Sequence, residues 1–320
     1  MTLTQIARLT EDEARSYLEG IRWPNHISCP HCGSVKVTRL QGKKHRAGLL
    51  QCSDCRKQFT VTVGSVKEDS HLPLQKWVLA FHLLCSSKKG FSALQLQREL
   101  GIGSYRTALF MLHRIREAMS GPLERALRGT VEMDETYVGG KPRPGDGKVH
   151  KRGRGTSKTP VVAVVERNGN SQSEPVQRVD TKTLKAIARE NIDASAALMT
   201  DELSLYGGVG KGFAGGHIQV NHSTGEYVRY TERGVAAHTN TAESFFALLK
   251  RGHYGVYHHM SKQHLHRYCN EFSFRWDHRR VTDGERTVSA IEGAAGKRLA
   301  YREMVGANGR RAVPQRGTVL

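Results

Sequence analysis

The sequence lacks any run of 18 apolar residues, which a transmembrane helix would need. Acidic residues follow the N-terminal segment, at the place where a secretory signal peptide would have its apolar core. These absences exclude membrane-spanning and secreted classes, so we expect a cytoplasmic protein with no membrane partner. Acids are also scarce, because 30 Asp and Glu stand against 49 Lys and Arg, for a formal net charge of +19. That imbalance favours a polyanionic partner such as nucleic acid. The 320 residues are enough for two or three domains.

Cysteine is scarce as well. Six cysteines in 320 residues are too few for a small secreted protein held together by disulfides. Four of them form two CxxC pairs, Cys29 with Cys32 and Cys52 with Cys55, at the spacing of a tetrahedral zinc site. The segment between the pairs is long enough for a short hairpin, so we predict a zinc ribbon with a structural Zn2+. The alternative is two unrelated disulfides or free thiols. The predicted ribbon strands cover residues 35–40, 49–52 and 58–63.

The remaining thiols and the histidines show no second metal-binding pattern. Cys85 and Cys269 lie in apolar helical patterns, so we interpret both as buried core thiols. Five histidines later in the chain are irregularly spaced and have no accompanying CxxC pair. They favour polar or stacking contact with DNA over a second zinc site, and they are His253, His258, His259, His264 and His266.

A helix, a short glycine-containing turn and a second helix follow the ribbon. Ser92 and Ser104 are the predicted N-caps of these two helices. The order is typical of a helix-turn-helix, whose second helix would offer Arg106 and Arg114 to bases and phosphates. The alternative is an ordinary helical hairpin used for packing. The predicted helices in this part of the chain cover residues 11–19, 73–86, 92–100 and 104–119.

From about residue 130 the pattern changes to that of a mixed α/β domain. An alternating strand is followed by a buried strand, a return strand, a helix that Thr181 caps, and another strand. This order predicts a mixed sheet with a crossover helix. The predicted strands cover residues 130–138, 160–166, 175–179 and 196–201, and the helices cover 181–188 and 241–250.

Residues 141–158, between the first two of these strands, are basic and rich in glycine and proline. Such a segment cannot bury a core, so we predict a loop. Lys151, Arg152 and Arg154 are its candidate phosphate contacts, because phosphate binding needs no fixed structure. The alternative is a solvated loop without a ligand.

Three carboxylates fall on three elements of this domain. Asp134 lies in the first strand, Asp201 ends a later strand, and Glu243 lies in the first turn of a helix. Such a set suits two Mg2+ ions, which take oxygen ligands and act on phosphodiesters. Lys250 follows Glu243 by nearly two helical turns, so both lie on one helix face, where the ammonium can hold a phosphate. The alternative for each acid is a structural role, because a single Asp at a strand end is more often a turn or cap residue. Three neighbouring acidic residues are alternative metal ligands, and they are Glu132, Glu135 and Glu202.

Several segments resemble the motifs of a bacterial insertion-sequence transposase family. They are residues 133–140 (MDETYVGG), 238–246 (HTNTAESFF), 249–252 (LKRG) and 254–259 (YGVYHH). The resemblance implies an N-terminal zinc ribbon and an RNase H-like, retroviral-integrase fold. It implies that Asp134, Asp201 and Glu243 bind two Mg2+ or Mn2+ ions. It also implies DNA cleavage at transposon ends, followed by attack of the freed 3′-hydroxyl on target DNA.

Other residues and the assembly follow from the same resemblance. Asn240 is an alternative third ligand, or a donor beside it, although the interval to Lys250 favours Glu243. Arg251 extends the charge of Lys250, and Arg279 in the closing helix is a candidate phosphate contact. Pairing of two transposon ends implies a DNA-bound homo-oligomer at the bacterial nucleoid. The alternative function is a non-catalytic zinc-ribbon DNA-binding regulator derived from a transposase.

The predicted domains follow these changes of pattern. The catalytic domain is the largest, and the sequence beyond residue 285 resembles nothing in the family. The predicted domains are residues 1–66 (N-terminal helix and ribbon), 67–125 (helix-turn-helix), 126–282 (RNase H-like domain) and 283–320 (C-terminal helix and basic tail).

Overall fold

The computed structural model divides the chain into two compact units. The residues that it describes are 1–140, 155–221, 224–226, 228–230 and 236–305. Within these ranges, every helix is too short or too polar to cross a bilayer. The four predicted domains stay predictions. The first unit comprises Met1–Phe81, Ala93–Ala118 and the chain from Val288, and the second comprises His82–Ser92 and Met119–Thr287.

The first unit begins with two capped helices and the predicted ribbon. Threonines cap both α1 (Leu3–Ala7) and α2 (Glu11–Arg22) through reciprocal capping boxes. Three short antiparallel strands follow, and the last of them stops before the predicted residue 63. The reason is a turn in which the Val63 N–H donates to the Thr60 carbonyl. The ribbon strands are β1 (Val37–Arg39), β2 (Leu50–Cys52) and β3 (Gln58–Phe59).

The predicted helix-turn-helix segment folds as two packed helices joined by a tight turn. Gly101 ends the first of them with φ +56°, because its left-handed backbone lets the Ile102 N–H reach the Gln97 carbonyl at 2.9 Å. The three helices predicted for this region are confirmed to within one residue at each end. They are α3 (Leu74–Ser86), α4 (Ala93–Glu99) and α5 (Tyr105–Ala118).

The second unit is built on a five-stranded mixed sheet. Its strands are β4 (Thr130–Val138), β5 (Thr159–Glu166), β6 (Ser171–Pro175), β7 (Ala197–Asp201) and β8 (His217–Val220). They lie in the order β6-β5-β4-β7-β8; β5 is antiparallel to β4 and β6, whereas β7 is parallel to β4 and β8. This mixed sheet confirms the predicted α/β fold class, and β8 is the strand that the sequence prediction missed. A separate pair joins β9 (Arg229–Tyr230) to β10 (Ala236–Ala237).

The return strand of the first hairpin lies earlier than predicted. Asn168 has φ +63°, and the Gly169 N–H donates to the Glu166 carbonyl at 3.0 Å, which closes a tight turn. β6 therefore starts at Ser171 rather than at residue 175. Its last residue is Pro175, and the Val176 N–H still donates to the Pro160 carbonyl at 3.0 Å.

Helices cover both faces of the sheet. They are α6 (Thr181–Asn191), α7 (Asn240–Gly252) and α8 (Leu265–Asp277). Met133 of β4 belongs to the core beneath α6, whereas Val138 belongs to the core beneath α7 and α8. Because side chains alternate along a strand, even-numbered residues of β4 face α7. Asp180, not the predicted Thr181, caps α6, since its carboxylate accepts the Thr183 N–H at 2.8 Å.

In the region for which the sequence predicted a C-terminal helix and a basic tail, the described residues 283–305 contain two helices. They are α9 (Asp283–Glu292) and α10 (Tyr301–Val305). In the first unit, Tyr301 packs edge-on against Phe110 with ring centroids 5.5 Å apart. Lys297 donates to the Ala118 carbonyl at 2.9 Å. Residues 288–305 therefore form part of a packed unit.

Candidate active site

The four ribbon cysteines form a compact cluster. Their Sγ atoms lie within 4.8 Å of one another, with 3.7 Å between Cys29 and Cys55 and 3.6 Å between Cys32 and Cys52. Four sulfurs about 2.3 Å from a tetrahedral Zn2+ would be about 3.8 Å apart, so the cluster fits zinc. The backbone N–H groups of Cys55 and Asp54 point toward Cys52 and lower the pKa of its thiol, which favours the thiolate that zinc binds. The geometry supports a structural zinc ion.

The other two cysteines are core thiols, as predicted. Cys85 and Cys269 are both fully buried. Burial raises the pKa of each thiol to about 12, which keeps it protonated and unreactive near neutral pH.

Asp134 and Asp201 lie side by side in the central sheet. β4 and β7 run parallel, and their register pairs Glu132 with Met199. Continuing this register for two residues brings Asp134 level with Asp201, the last residue of β7. Side chains at the same level of neighbouring parallel strands point to the same face. The sheet therefore brings two of the predicted acids together.

Glu243 approaches the same place from α7. This helix packs on β4 and β5 and carries Glu243 in its first turn. Burial raises the pKa of Asp134 to about 8, and the charges of Glu135, Asp201 and Glu243 add to the rise. The Glu135 N–H opposes it by donating to Asp134 Oδ1 at 2.7 Å. The three predicted acids are thus close enough to influence one another electrostatically.

The acids are spaced more widely than the cysteines. Within the described part of the chain, no second set of three or more His, Cys, Asp or Glu side chains has ligand atoms within 4.8 Å of one another. The ions of a two-metal site lie about 3.5–4 Å apart, so its outer ligands are necessarily further from each other than the ligands of one ion. The carboxylate oxygens are ligands of the type that Mg2+ and Mn2+ take in proteins.

The rival acids have other neighbours. Glu132 is fully buried and is hydrogen-bonded to the first turn of α7. Glu135 lies on the opposite face of β4 from Asp134 and accepts the Tyr206 hydroxyl at 2.7 Å. Glu202 is exposed immediately after β7. Asp134 is therefore the acid of β4 that both lies level with Asp201 and faces α7.

α7 presents an exposed row of polar side chains beside the acids. Asn240, Glu243, Lys250 and Arg251 are all exposed. The helix continues from Asn240 through Lys250, so Glu243 and Lys250 share a face as the interval predicted. The Asn240 N–H donates to His238 Nδ1 at 3.3 Å. Arg251 Nε donates to a carbonyl one turn earlier at 3.1 Å, and its side chain remains at the surface.

The structure corrects the prediction for the second helix of the helix-turn-helix. Arg106 is exposed in the first turn of α5, as DNA contact requires. Arg114 is buried instead: its Nε donates to the Leu299 carbonyl at 3.2 Å, and its guanidinium lies 4.4 Å from the Phe110 ring. From Ala108 onward the helix is mostly buried, so only its first turn is accessible.

Arg279 is also engaged within the protein. It donates to the carbonyls of Gly169 at 3.0 Å and Trp276 at 2.6 Å, and it stacks over the Trp276 ring. These contacts tie the end of α8 to the hairpin turn, so a phosphate contact would have to break them. The predicted contacts Lys151, Arg152 and Arg154 lie outside the described residues.

Comparison with known proteins identifies the family. Residues 126–277 match the ISXO2-like transposase domain, and residues 9–58 match the transposase zinc-ribbon domain. An uncharacterized protein in transposable element ISH50 of Halobacterium salinarum is 31% identical over 281 residues, which cover 83% of this chain and 91% of that protein. The chain belongs to the ISXO2-like transposase family.

Family membership confirms the resemblance seen in the sequence. The transposase-domain match contains Asp134, Asp201 and Glu243, and the ribbon match contains the four cysteines. Transposase and zinc-ribbon domains together imply that this member of the family binds DNA. The sequence analysis did not identify Arg167, whose Nε donates to Glu132 Oε1 at 2.6 Å. It considered Glu132 only as an alternative metal ligand. The alternation of β4, which puts Glu132 and Asp134 on one face, was the available signal.

Proposed function

We propose that this transposase-family member cleaves DNA at the ends of its element and joins the freed 3′-hydroxyl to target DNA. The observation that carries the proposal is the arrangement of the elements: α7 packs on β4 with Glu243 in its first turn, over the face of the sheet to which Asp134 and Asp201 belong. Ionised carboxylates in such a cluster repel one another, so bound cations stabilise them. The register of β4 and β7 supports the same grouping.

The proposed ligands of two Mg2+ or Mn2+ ions are Asp134, Asp201 and Glu243, with Asn240 as the alternative third ligand. Such ions, when bound, activate the attacking oxygen and stabilise the leaving oxygen of a phosphodiester. Lys250 holds a non-bridging oxygen of the scissile phosphate from the helix face that also carries Glu243. The cation of Lys250 lies on the exposed side of α7, where a DNA strand has access.

The proposed reaction has two displacements at phosphorus. In the first, a water oxygen bonds to phosphorus and releases a proton to solvent, while the bond to the 3′ oxygen of the element breaks and that oxygen takes up a proton from solvent. In the second, the resulting 3′-hydroxyl loses its proton as its oxygen bonds to a target phosphorus, and the target 3′ oxygen leaves and takes up a proton from solvent. Both steps place negative charge on entering and leaving oxygens, which is the charge that this acid and cation arrangement is suited to stabilise.

Strand cleavage of a labelled duplex carrying the element's own end tests the proposal. The wild type should yield a 3′-hydroxyl product with Mg2+ or Mn2+ and none without divalent ions. Asp134→Asn and Glu243→Gln should abolish cleavage but retain DNA binding, because they remove metal ligands and leave the basic surface unchanged. Asn240→Ala should retain cleavage if Glu243 is the third ligand.

Glu202→Gln is the matched control, since it neutralises an exposed acid beside Asp201 and should cleave like the wild type. Cleavage by Asp134→Asn at the wild-type rate would contradict the proposal. Binding of the element end without cleavage under any metal would indicate the regulator instead.

We also propose that at least two copies act together on paired ends, because each end needs its own active site. Arg106, Arg251, and Lys151, Arg152 and Arg154 are the proposed phosphate contacts. The zinc ribbon contacts DNA or the second copy. Sedimentation of the protein with end DNA should give a homo-oligomeric complex, and one chain per paired complex would refute this assembly.

A further inference from the structure

Glu132 is a fully buried carboxylate beside the proposed site. It lies on β4 two residues before Asp134, so both side chains face α7. Its oxygens accept the Thr241 N–H at 2.7 Å, the Thr241 hydroxyl at 2.8 Å and the Ala242 N–H at 3.0 Å. One acid of the sheet therefore binds the first turn of the helix that carries Glu243.

These hydrogen bonds replace a cap that α7 does not have. The first N–H groups of a helix have no partner within the helix, and a side chain at the N-cap normally accepts some of them. Thr239 occupies the N-cap of α7 but makes no side-chain capping hydrogen bond. Glu132 accepts these N–H groups instead, and its negative charge suits the positive end of the helix dipole.

Arg167, which directly follows β5, completes the arrangement. Its Nε donates to Glu132 Oε1 at 2.6 Å, and its other nitrogens donate to the carbonyls of Ala236 and His238. Those carbonyls belong to the segment that leads into α7. His238 also places Nδ1 3.1 Å from Glu132 Oε1. A buried carboxylate is stable when it is paired and hydrogen-bonded, and these neighbours meet both conditions.

We propose that Glu132 and Arg167 are positioning residues that fix Glu243 relative to Asp134 for divalent metal binding. The inference rests on the proposed function, because it concerns the same acids. The two residues hold backbone atoms on both sides of the start of α7. Any slide or rotation of α7 over β4 would break several of these hydrogen bonds. Glu243 directly follows Ala242 in the first turn of α7, so the hydrogen bonds that hold this backbone determine where its carboxylate can reach.

A Mn2+ titration of the full-length, zinc-loaded protein, followed by the EPR signal of free Mn2+, measures the effect directly. Glu132→Gln preserves shape and one carbonyl oxygen, but it turns an amide N–H toward the donors of α7. We expect Mn2+ affinity to fall about 10- to 100-fold, as for residues that orient metal ligands. Cleavage of end DNA by Glu132→Gln should recover as Mn2+ is raised, which a general loss of packing would not produce.

Asp277→Asn is the matched control. Asp277 ends α8, and its carboxylate accepts the N–H and the hydroxyl of Ser171 at 2.7 and 3.0 Å. The substitution neutralises a half-buried carboxylate away from α7, so it should leave Mn2+ affinity unchanged. Thr241→Val removes only the hydroxyl bond to Glu132 and should weaken Mn2+ binding less than Glu132→Gln. If Glu132→Gln does not fold, the Mn2+ affinity of Thr241→Val tests the positioning role instead.

The outcomes separate this inference from the proposed function. Wild-type Mn2+ affinity in Glu132→Gln, with binding that still requires Asp134, would overturn the positioning role alone. An equal loss of affinity in Asp277→Asn would overturn it too, because the effect would then be general. Mn2+ binding that is equally weak in the wild type and in Asp134→Asn would overturn the proposed function and the positioning role together.

Discussion

The zinc cluster and the acid site are assembled in opposite ways. The cysteines come from two short turns of one ribbon, each with a left-handed residue directly after its second cysteine, Gly33 and Arg56. Their sulfur atoms already converge to within 4.8 Å. Asp134, Asp201 and Glu243 come instead from two strands and a helix, at wider spacing. The first site depends on local chain geometry, and the second depends on how remote elements pack.

This difference sets what each site needs. The ribbon core contains few buried side chains, chiefly Leu50 and Phe59 besides two of the cysteines. So small a core cannot hold the ribbon without its metal. The acids, in contrast, stand on a sheet with extensive apolar cores on both faces, which is expected to fold without divalent ions.

The largest predicted effect follows from loss of zinc. Cys52→Ser should unfold the ribbon, since structural zinc contributes about 10–16 kcal/mol in zinc-finger peptides. Zinc content should drop to background, and limited proteolysis should cut within the ribbon. Cys85→Ser, which alters a buried thiol outside the ribbon, is the control and should retain zinc. Equal protease resistance of Cys52→Ser and wild type would show that the ribbon does not depend on its metal.

The second prediction concerns pH without divalent ions. The pKa of Asp134 is about 8 in the folded chain against 3.8 ordinarily, so the folded state keeps a proton that the unfolded state loses. Stability should therefore fall as pH rises from about 4 to about 8, by a few kcal/mol at most. Asp134→Asn should flatten this dependence, and Mg2+ should stabilise the wild type but not the variant. Thermal melts in chelator-free buffer, which preserves zinc, measure both.

Asp277 provides the internal reference for those melts. Burial raises its pKa to about 7, so it adds a similar dependence to the wild type and to Asp134→Asn. The difference between the pH dependences of the two proteins therefore gives the contribution of Asp134 to stability. Parallel stability curves across this pH range would show that Asp134 titrates normally and that its carboxylate is not crowded by other acids.

The smallest effects distinguish two arginines of α5. Arg114→Ala should cost about 1–3 kcal/mol of stability, because it removes a buried donor and leaves the Leu299 carbonyl unsatisfied. Arg106→Ala should change stability by less than about 0.5 kcal/mol, as is usual for exposed residues. It should instead weaken DNA binding and reduce the salt slope of the affinity by about 1. Unchanged DNA affinity in Arg106→Ala would favour the packing hairpin over a DNA-reading helix.

Local signals in the sequence predicted much of the fold. The helices over 73–119 were placed within one residue because caps and glycines mark their ends. β4 was placed correctly because its alternation is long. The start of β6 was missed because it depends on the left-handed backbone of Asn168, which shortens the turn.

Long-range contacts explain the remaining errors. Arg114 was expected at the surface, but its carbonyl partner Leu299 lies 185 residues later in the chain. No periodicity within α5 reveals a partner at that distance. The grouping of Asp134, Asp201 and Glu243 relied on the family resemblance, since spacing alone did not separate Asp134 from Glu132. The register of β4 against β7 makes that distinction, and only the folded sheet supplies it.

The capping of α7 by Glu132, a residue of another element, affects the order in which the elements fold. A helix that relies on Glu132 for its first turn cannot complete that turn until β4 has taken its place in the sheet. The strands also precede α7 along the chain, so they emerge first during synthesis. An incomplete or misfolded chain therefore lacks an ordered Glu243. Under the proposed function, such a chain would not cut the DNA around it.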